Sequence, residues 1–227
     1  DVYKRQVVYP TDEKLLQLSA REFFQQMVLE RLQARAIVEG PNFFFGHRRE
    51  GNVVRLRELC VEFGVELGIV DPIAIDGQLV SSSRVRGLIE QGDVDSARRL
   101  LTKPYRIRGM VTHGAKRGSR IGFPTANLSA IDTLMPGLGV YAGRSYCEGQ
   151  VWASAINVGA NPTFHEQALK VEVHLIHYQG NLYGAPLEVD FLGRLRDIHP
   201  FASVEELRMQ LAKDVANAER LASEFPG

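Results

Sequence analysis

The stretch VEVHLI, residues 171–176, alternates apolar and polar side chains. On a β-strand its alternate apolar residues would face one side, while Glu172 and His174 would face the other. This alternation is typical of a strand that has one face in a core and the other in solvent. The sequence therefore predicts antiparallel β-structure around this stretch.

Short segments of the same kind lie on both sides of VEVHLI and are bounded by Gly, Pro and Asn. They are YRIRGMV (105–111), GVYAGRSY (139–146), VWASAINVG (151–159) and LEVDFLG (187–193). Several short strands separated by turn residues are typical of a small antiparallel barrel. A long C-terminal helix is expected to follow, because a capping box, Ser203 with Glu206, precedes an apolar stripe at helical spacing.

In the first hundred residues, helical stretches alternate with short buried segments. Ser19 begins a capping box that predicts a helix over about 19–34, and a second helix is predicted over 52–64. A third helical stretch, over 83–102, is interrupted at a Gly-Asp pair, where Asp93 can cap its continuation. Helices that alternate with short buried strands indicate an α/β layer arrangement.

Near Lys103-Pro104 the helical stretches end, and the short alternating segments bounded by turn residues begin. We therefore place a domain boundary at 102/103, which gives an α/β domain over 1–102 and a β-barrel domain over 103–227. A chain of 227 residues is long enough for two modest domains.

Composition narrows the class of protein. Hydrophobic residues make up 44% of the chain, and Lys+Arg and Asp+Glu both number 27, so the formal net charge is zero. A balanced charge disfavours a nucleic-acid partner, and no apolar run approaches the ~18 residues that span a membrane. Cys60 and Cys147 lie far apart and indicate two separate thiols in a reducing compartment. The expected location is cytoplasmic, and the oligomeric state stays open.

A glycine-rich segment, GMVTHGAKRGSRIGFPTANL (109–128), carries the first candidate site. Gly114, Gly118 and Gly122 surround Lys116, so backbone N–H groups and a cation can approach a phosphate closely. The sequence is not a Walker loop, because GxxxxGK[ST] is absent. A glycine-rich hairpin with solvated basic residues fits the same pattern.

Thr125 and Asn127 follow directly behind the rigid Pro124. Two oxygen donors placed two residues apart suit a hard cation such as Mg²⁺, which keeps several waters and bridges to nucleotide phosphates. A polar turn between strands is the alternative.

Glu172 is the candidate general base of the chain. It could accept the proton of a substrate hydroxyl during phosphoryl transfer, although a carboxylate on the wet face of a strand is common. His174, on the same face, could orient Glu172 or could be a surface histidine.

Together these segments closely resemble the riboflavin kinase family. The order and spacing of PTAN (124–127), NPTF (161–164) and VEVH (171–174) fit that family along essentially all of 103–227. The resemblance implies a six-stranded barrel with a C-terminal helix, which converts riboflavin and ATP to FMN and ADP. It also implies that Thr125 and Asn127 contact Mg²⁺-ATP and that Glu172 is the catalytic base.

Two earlier segments, EGPNFFFGHRREG (39–51) and VSSSRVRGLIEQGDV (80–94), resemble the adenylyl-transferring half of the bifunctional bacterial riboflavin kinase/FAD synthetase. By that resemblance, the residues that contact ATP in this half are Asn42, Ser82, Ser83 and Arg86. Hydroxyls and a guanidinium near a helix start make a reasonable anion site. The serines could equally be an N-cap with spare hydroxyls.

The HxGH motif of the adenylyl-transferring half is absent from the chain, which also starts without Met. We expect a fragment that keeps the kinase and lacks adenylyl transfer, from a parent enzyme that also converts FMN to FAD. The predicted fold is an incomplete nucleotidyltransferase-like (Rossmann-like) α/β domain followed by a six-stranded antiparallel β-barrel with a C-terminal helix. A non-catalytic barrel that binds a flavin or a nucleotide is the competing hypothesis.

Overall fold

The structure, a computed structural model, describes residues 6–114, 117–159 and 170–225. Its internal contacts divide the chain into two units, Asp1–Leu79 and Val80–Gly227. Helices that the sequence grouped with the first domain belong to the second unit, since Val94 is fully buried in the barrel core. A division of the chain by its contacts need not coincide with a domain boundary that is inferred from the sequence. The boundary at 102/103 therefore stays a prediction.

The described part of the first unit contains short helices and two pairs of short strands. The elements are α1 (Glu13–Gln17), α2 (Ala20–Phe23) with its π-helical continuation (Phe24–Arg31), β1 (Ala36–Glu39), a 3₁₀ turn (His47–Arg49), α3 (Val53–Phe63), β2 (Glu66–Ile69), β3 (Ala74–Ile75) and β4 (Gln78–Leu79). Strands β1 and β2 pair in parallel, and β3 and β4 pair antiparallel.

Local capping signals in the first unit are confirmed. The Ser19 hydroxyl accepts from the Glu22 N–H at 3.2 Å, and the Glu22 carboxylate accepts from the Ser19 N–H at 2.8 Å. The helix over 52–64 is observed as α3, which Asn52 caps by accepting from the Arg55 N–H at 3.0 Å. These contacts connect residues three apart, so the sequence alone specifies them.

The second unit contains the barrel and its helices. The elements are α4 (Ser82–Gln91), α5 (Val94–Leu101), β5 (Tyr105–Thr112), α6 (Arg117–Arg120), β6 (Ala126–Ser129), β7 (Gly139–Cys147), β8 (Gln150–Gly159), β9 (Lys170–Leu175), β10 (Pro186–Arg196) and α7 (Val204–Ser223). The six strands close in the order β10-β5-β6-β9-β8-β7, and each neighbouring pair is antiparallel. The predicted six-stranded barrel with a C-terminal helix is confirmed.

The alternation in VEVHLI has the predicted consequence. Val171, Val173 and Leu175 are buried in the barrel core, whereas Glu172 and His174 are only partly buried on the opposite face of β9. The interior is thus mainly apolar, and its buried hydroxyls of Ser145 and Ser154 hydrogen-bond to each other at 2.6 Å.

Helix α7 packs on the barrel through small residues. Ala218 is fully buried and forms a cluster with Ala142 and Ile176. The Ser203 hydroxyl caps the helix as predicted, accepting from the Glu206 N–H at 3.1 Å. The Glu206 carboxylate instead accepts from the Ala202 N–H at 3.2 Å, one residue beyond the predicted partner.

Both cysteines, Cys60 and Cys147, are buried free thiols, and burial raises the pKa of each. The free state of both residues agrees with the prediction of two separate thiols. In the part of the chain that the structure describes, no helix has the length and apolar character needed to cross a membrane.

Candidate active site at one end of the barrel

Strand register assembles a row of polar residues across four strands. Asn127 of β6 lies directly opposite Glu172 of β9, which in turn lies opposite Asn157 of β8. Thr112, the last residue of β5, lies opposite Asn127. Directly opposed residues have Cβ atoms about 5 Å apart. The barrel thus brings together the candidate metal ligand and the candidate base.

The row lies on the outer surface of the barrel. The residues next in sequence to those of the row, including Val111, Leu128 and Val173, are buried in the core. Because successive side chains of a strand point to opposite faces, the polar groups of the row point away from the core. Their backbones are held by the closed ladder, which keeps the spacing between the groups fixed.

Thr112 and Asn157 extend the site beyond the residues that sequence reasoning selected. Thr112 is the last residue of β5 and Asn157 lies two residues before the end of β8, and no sequence motif assigned a role to either. The signal that identifies them is the register with Asn127 and Glu172, which is a property of the folded barrel. The sequence shows that both are polar residues at outward-facing positions near strand ends, but it does not show which residues lie opposite them.

Two glycines of the predicted phosphate loop lie against the candidate ligands. A Cβ on Gly114 would lie 2.2 Å from Nδ2 of Asn127. A Cβ on Gly118 would lie 2.2 Å from the carbonyl oxygen of Phe123 and 3.7 Å from Oγ1 of Thr125. Glycine is therefore required at position 118, where the close atom is backbone, whereas a Cβ at position 114 would displace the Asn127 amide. Both glycines lie against the segment that carries Thr125 and Asn127.

Gly122 is needed for its backbone conformation, because no atom packs closely against it. Its φ is +93°, and a Cβ placed there would meet no atom within 4 Å. Glycine adopts this conformation without steric cost, which allows the turn after α6. Lys116 and the NPTF turn, 161–164, lie outside the described residues.

His174 contacts the segment that precedes the candidate ligands. Its Nδ1 lies 2.7 Å from the carbonyl oxygen of Pro124, and its ring meets that of Phe123 edge-on, with centroids 5.7 Å apart and planes at 69°. Burial lowers the pKa of His174; the Pro124 carbonyl opposes this change, and His177 adds to it. Because the Pro124 carbonyl can only accept, Nδ1 of His174 donates to the Pro124–Asn127 segment.

The candidate ATP-binding serines lie at the start of α4. Ser81 caps the helix by accepting from the Arg84 N–H at 3.2 Å, while Ser82, Ser83 and Arg86 are exposed on its first turns. The N-cap role therefore belongs to Ser81, and an anion at this end would meet two hydroxyls and the first backbone N–H groups.

Asn42 lies in the first unit, on an exposed turn closed by the Phe43 N–H and the Gly40 carbonyl at 3.2 Å. The serines and Arg86 belong to the second unit. Their joint use for one nucleotide therefore stays a prediction.

The oxygen atoms of the candidate ligands suit a hard divalent cation that binds mainly to the nucleotide substrate. Thr125 and Asn127 offer neutral oxygen atoms, and Glu172 adds a carboxylate opposite Asn127. Among the described residues there is no group of three or more His, Cys, Asp or Glu side chains suited to a metal. Such a set does not match a zinc site, and it does match an ion whose remaining ligands are water and phosphate.

Comparisons with known proteins show to which family the chain belongs. A family model described as riboflavin kinase matches residues 101–222, and one described as FAD synthetase matches residues 3–84. The chain belongs to the riboflavin kinase family. Over 214 residues it is 34% identical to the bifunctional riboflavin kinase/FMN adenylyltransferase of Haemophilus influenzae, covering 94% of this chain and 70% of that protein.

Further relatives of this riboflavin kinase family member support the same assignment. The protein of the same description from Pseudomonas fluorescens is 36% identical over 93% of this chain and 68% of its own length. A crystal structure described as a macrolide-efflux protein from Streptococcus pneumoniae matches with a TM-score of 0.80 at 32% identity, over 94% of this chain and 68% of that one. The fold is thus similar along nearly the whole sequence.

Proposed function

We propose that this chain transfers the γ-phosphoryl group of ATP to the ribityl 5′-hydroxyl of riboflavin, giving FMN and ADP. The riboflavin kinase model covers the barrel and most of its C-terminal helix. The observation that carries the proposal is the pairing of Asn127 with Glu172 on neighbouring strands, beside two glycines packed on the same segment.

Glu172 is proposed as the general base. Its carboxylate would take the proton of the 5′-hydroxyl as that oxygen attacks the γ-phosphorus, and the bond from phosphorus to the β,γ-bridging oxygen would break to release ADP. The position of Glu172 on the partly buried outer face of β9 supports this role, because a substrate can reach the carboxylate there. Neighbouring ladders hold it in place.

Thr125 and Asn127 are proposed to hold Mg²⁺ together with the ATP phosphates. The bound ion would offset the negative charge of the phosphates. Backbone N–H groups near Gly114, Gly118 and Gly122 would face the same phosphates, with Lys116 as an added cation. The close packing of Gly114 on Asn127 and of Gly118 on Phe123 supports this arrangement.

The relatives are also named for adenylyl transfer to FMN. For that activity of the family we propose an ATP site formed by Asn42, Ser82, Ser83 and Arg86. The 227-residue chain contains no HxGH sequence, so the product we propose for it is FMN alone. A cytoplasmic location without membrane or nucleic-acid partners stays a prediction from composition.

Incubation of the purified chain with riboflavin, ATP and MgCl₂, followed by separation of the flavins, tests the proposal. FMN that forms only when ATP and a divalent cation are both present is the expected result. Unchanged riboflavin would reject the kinase, and quenched flavin fluorescence without FMN would instead support a non-catalytic binding barrel. FAD in the product would contradict the limit to one activity.

A further inference from the structure

We propose that His174 positions the Thr125–Asn127 segment for nucleotide binding by holding the carbonyl oxygen of Pro124. His174 acts through this segment and is a positioning residue. The inference rests on the proposed kinase function, and its test below separates the two.

The contact is a directed hydrogen bond between distant parts of the chain. Nδ1 of His174 lies 2.7 Å from the Pro124 oxygen. A carbonyl oxygen only accepts hydrogen bonds, so the ring proton is on Nδ1 and the lone pair is on Nε2. The edge-on contact with Phe123 fixes the plane of the ring in addition.

The residues that His174 holds lie outside the strand ladder. Strand β6 begins at Ala126, so the ladder does not fix Phe123, Pro124 or Thr125. Phe123 is held by its N–H, which donates to the Gly118 carbonyl at 2.8 Å. Proline has no N–H, and its carbonyl is the one backbone group through which it can be anchored.

The Pro124 carbonyl and the Thr125 N–H belong to one planar peptide unit. Holding the oxygen therefore fixes the direction in which the backbone of Thr125 leaves the turn. Loss of the donor would let this plane rotate and would move the Thr125 hydroxyl relative to Asn127, which the ladder keeps opposite Glu172. His174 and Glu172 lie on the same face of β9, so one strand carries both the anchor and the candidate base.

Three variants test the role of the donor. His174→Leu removes the donor and keeps an apolar side chain of similar volume. His174→Asn keeps an N–H close to the position of Nδ1, and His174→Gln places its amide farther along. His177→Asn is the matched control, because His177 is an exposed histidine that pairs with Glu219 on α7.

A hydrogen bond that is partly exposed contributes up to roughly tenfold to binding. We therefore expect kcat/KM for Mg²⁺-ATP to fall by up to about tenfold in His174→Leu and His174→Gln, with KM for riboflavin nearly unchanged. His174→Asn should recover to within about threefold of wild type, and His177→Asn should match wild type. If His174→Leu does not fold, His174→Gln alone gives the same comparison with His174→Asn.

Wild-type kcat/KM for ATP in His174→Gln would overturn the proposal. So would an Asn variant as impaired as the Gln variant, or an equal loss for ATP and riboflavin that follows the melting temperature. If the wild-type chain forms no FMN, the kinase proposal fails, and calorimetric titration with Mg²⁺-ATP still tests His174. A Kd that rises in His174→Gln and recovers in His174→Asn would support positioning, whereas equal Kd values, or no binding, would reject it.

Discussion

Gly114→Ala tests whether the orientation of Asn127 matters for phosphoryl transfer. The new Cβ would lie 2.2 Å from Nδ2, 2.7 Å from Cγ and 2.9 Å from Oδ1 of Asn127, and crowding at Cβ atoms begins below 3.4 Å. The side-chain amide must therefore move by about 1 Å. Gly114 does not have a left-handed φ, so alanine itself introduces no backbone strain.

Stability and activity should respond differently to Gly114→Ala. The displaced atoms are the far end of one side chain, and forcing that side chain off its rotamer costs about 1 kcal/mol. The melting temperature should therefore fall by only a few degrees. A shift of about 1 Å in a group that positions a substrate lowers turnover by roughly a hundredfold, so kcat for FMN formation should fall by about that factor.

The assay is steady-state FMN formation at varied ATP, together with thermal unfolding of each variant. Gly87→Ala in α4 is the control, because a Cβ there meets no atom within 4 Å and the helix gains about 1 kcal/mol from alanine. The control should keep wild-type kcat and unfold at a slightly higher temperature. Nearly wild-type turnover in Gly114→Ala would refute a catalytic use of the Asn127 amide, and a large loss of stability would refute the local character of the clash.

Three further outcomes are expected. Glu172→Gln should form FMN at least about a hundredfold more slowly, because the amide cannot take the hydroxyl proton. The variant should still bind ATP in a calorimetric titration. A robust rate of FMN formation would show that Glu172 is not the base. Asp190→Ala should lower the free energy of unfolding, measured with urea, by about 1–3 kcal/mol, because Arg106 and the Tyr146 hydroxyl lose a hydrogen-bond partner while Arg106 keeps Glu188. A loss below about 0.5 kcal/mol would contradict this. Burial lowers the pKa of His174 below the usual 6.5, so the unfolded chain takes up a proton first as the pH falls. Stability from this group should be complete above about pH 7 and should decline on acidification through the lowered pKa, and His174→Asn should lack this decline in melting curves taken at each pH.

The C-terminal helix marks the limit of sequence patterns in this protein. Its cap at Ser203 follows from residues three apart, and the structure confirms it. Its predicted apolar stripe is only partly used, because Val215 packs on the barrel whereas Val204 is 43% exposed. The side chain it buries with Ala218 is Asp214, which is held by the Arg196 guanidinium at 2.8 Å. Periodicity therefore predicts that this segment is helical, but the barrel surface on which α7 packs determines which of its residues are buried.

The first helix shows the same limit. The capping box at Ser19 fixes where the helix begins, and its two hydrogen bonds are those expected. After Phe23 the chain continues with π-helical turns over Phe24–Arg31, which the pattern of apolar residues did not distinguish from an α-helix. Phe24, the first residue of these turns, is fully buried in the core of the first unit.

The sequence by itself determined five of the six barrel strands, the helix N-caps Ser19 and Ser203, and the chemical types present in the site. Alternation in VEVHLI separates Val173 from Glu172 on any strand, because successive side chains point to opposite faces. Only the tertiary structure decided that Asn127 and Asn157 lie on either side of Glu172, and that His174 reaches Pro124. These contacts join residues far apart in the chain, and barrel closure fixes their register, since a slip of one residue would turn every side chain to the other face.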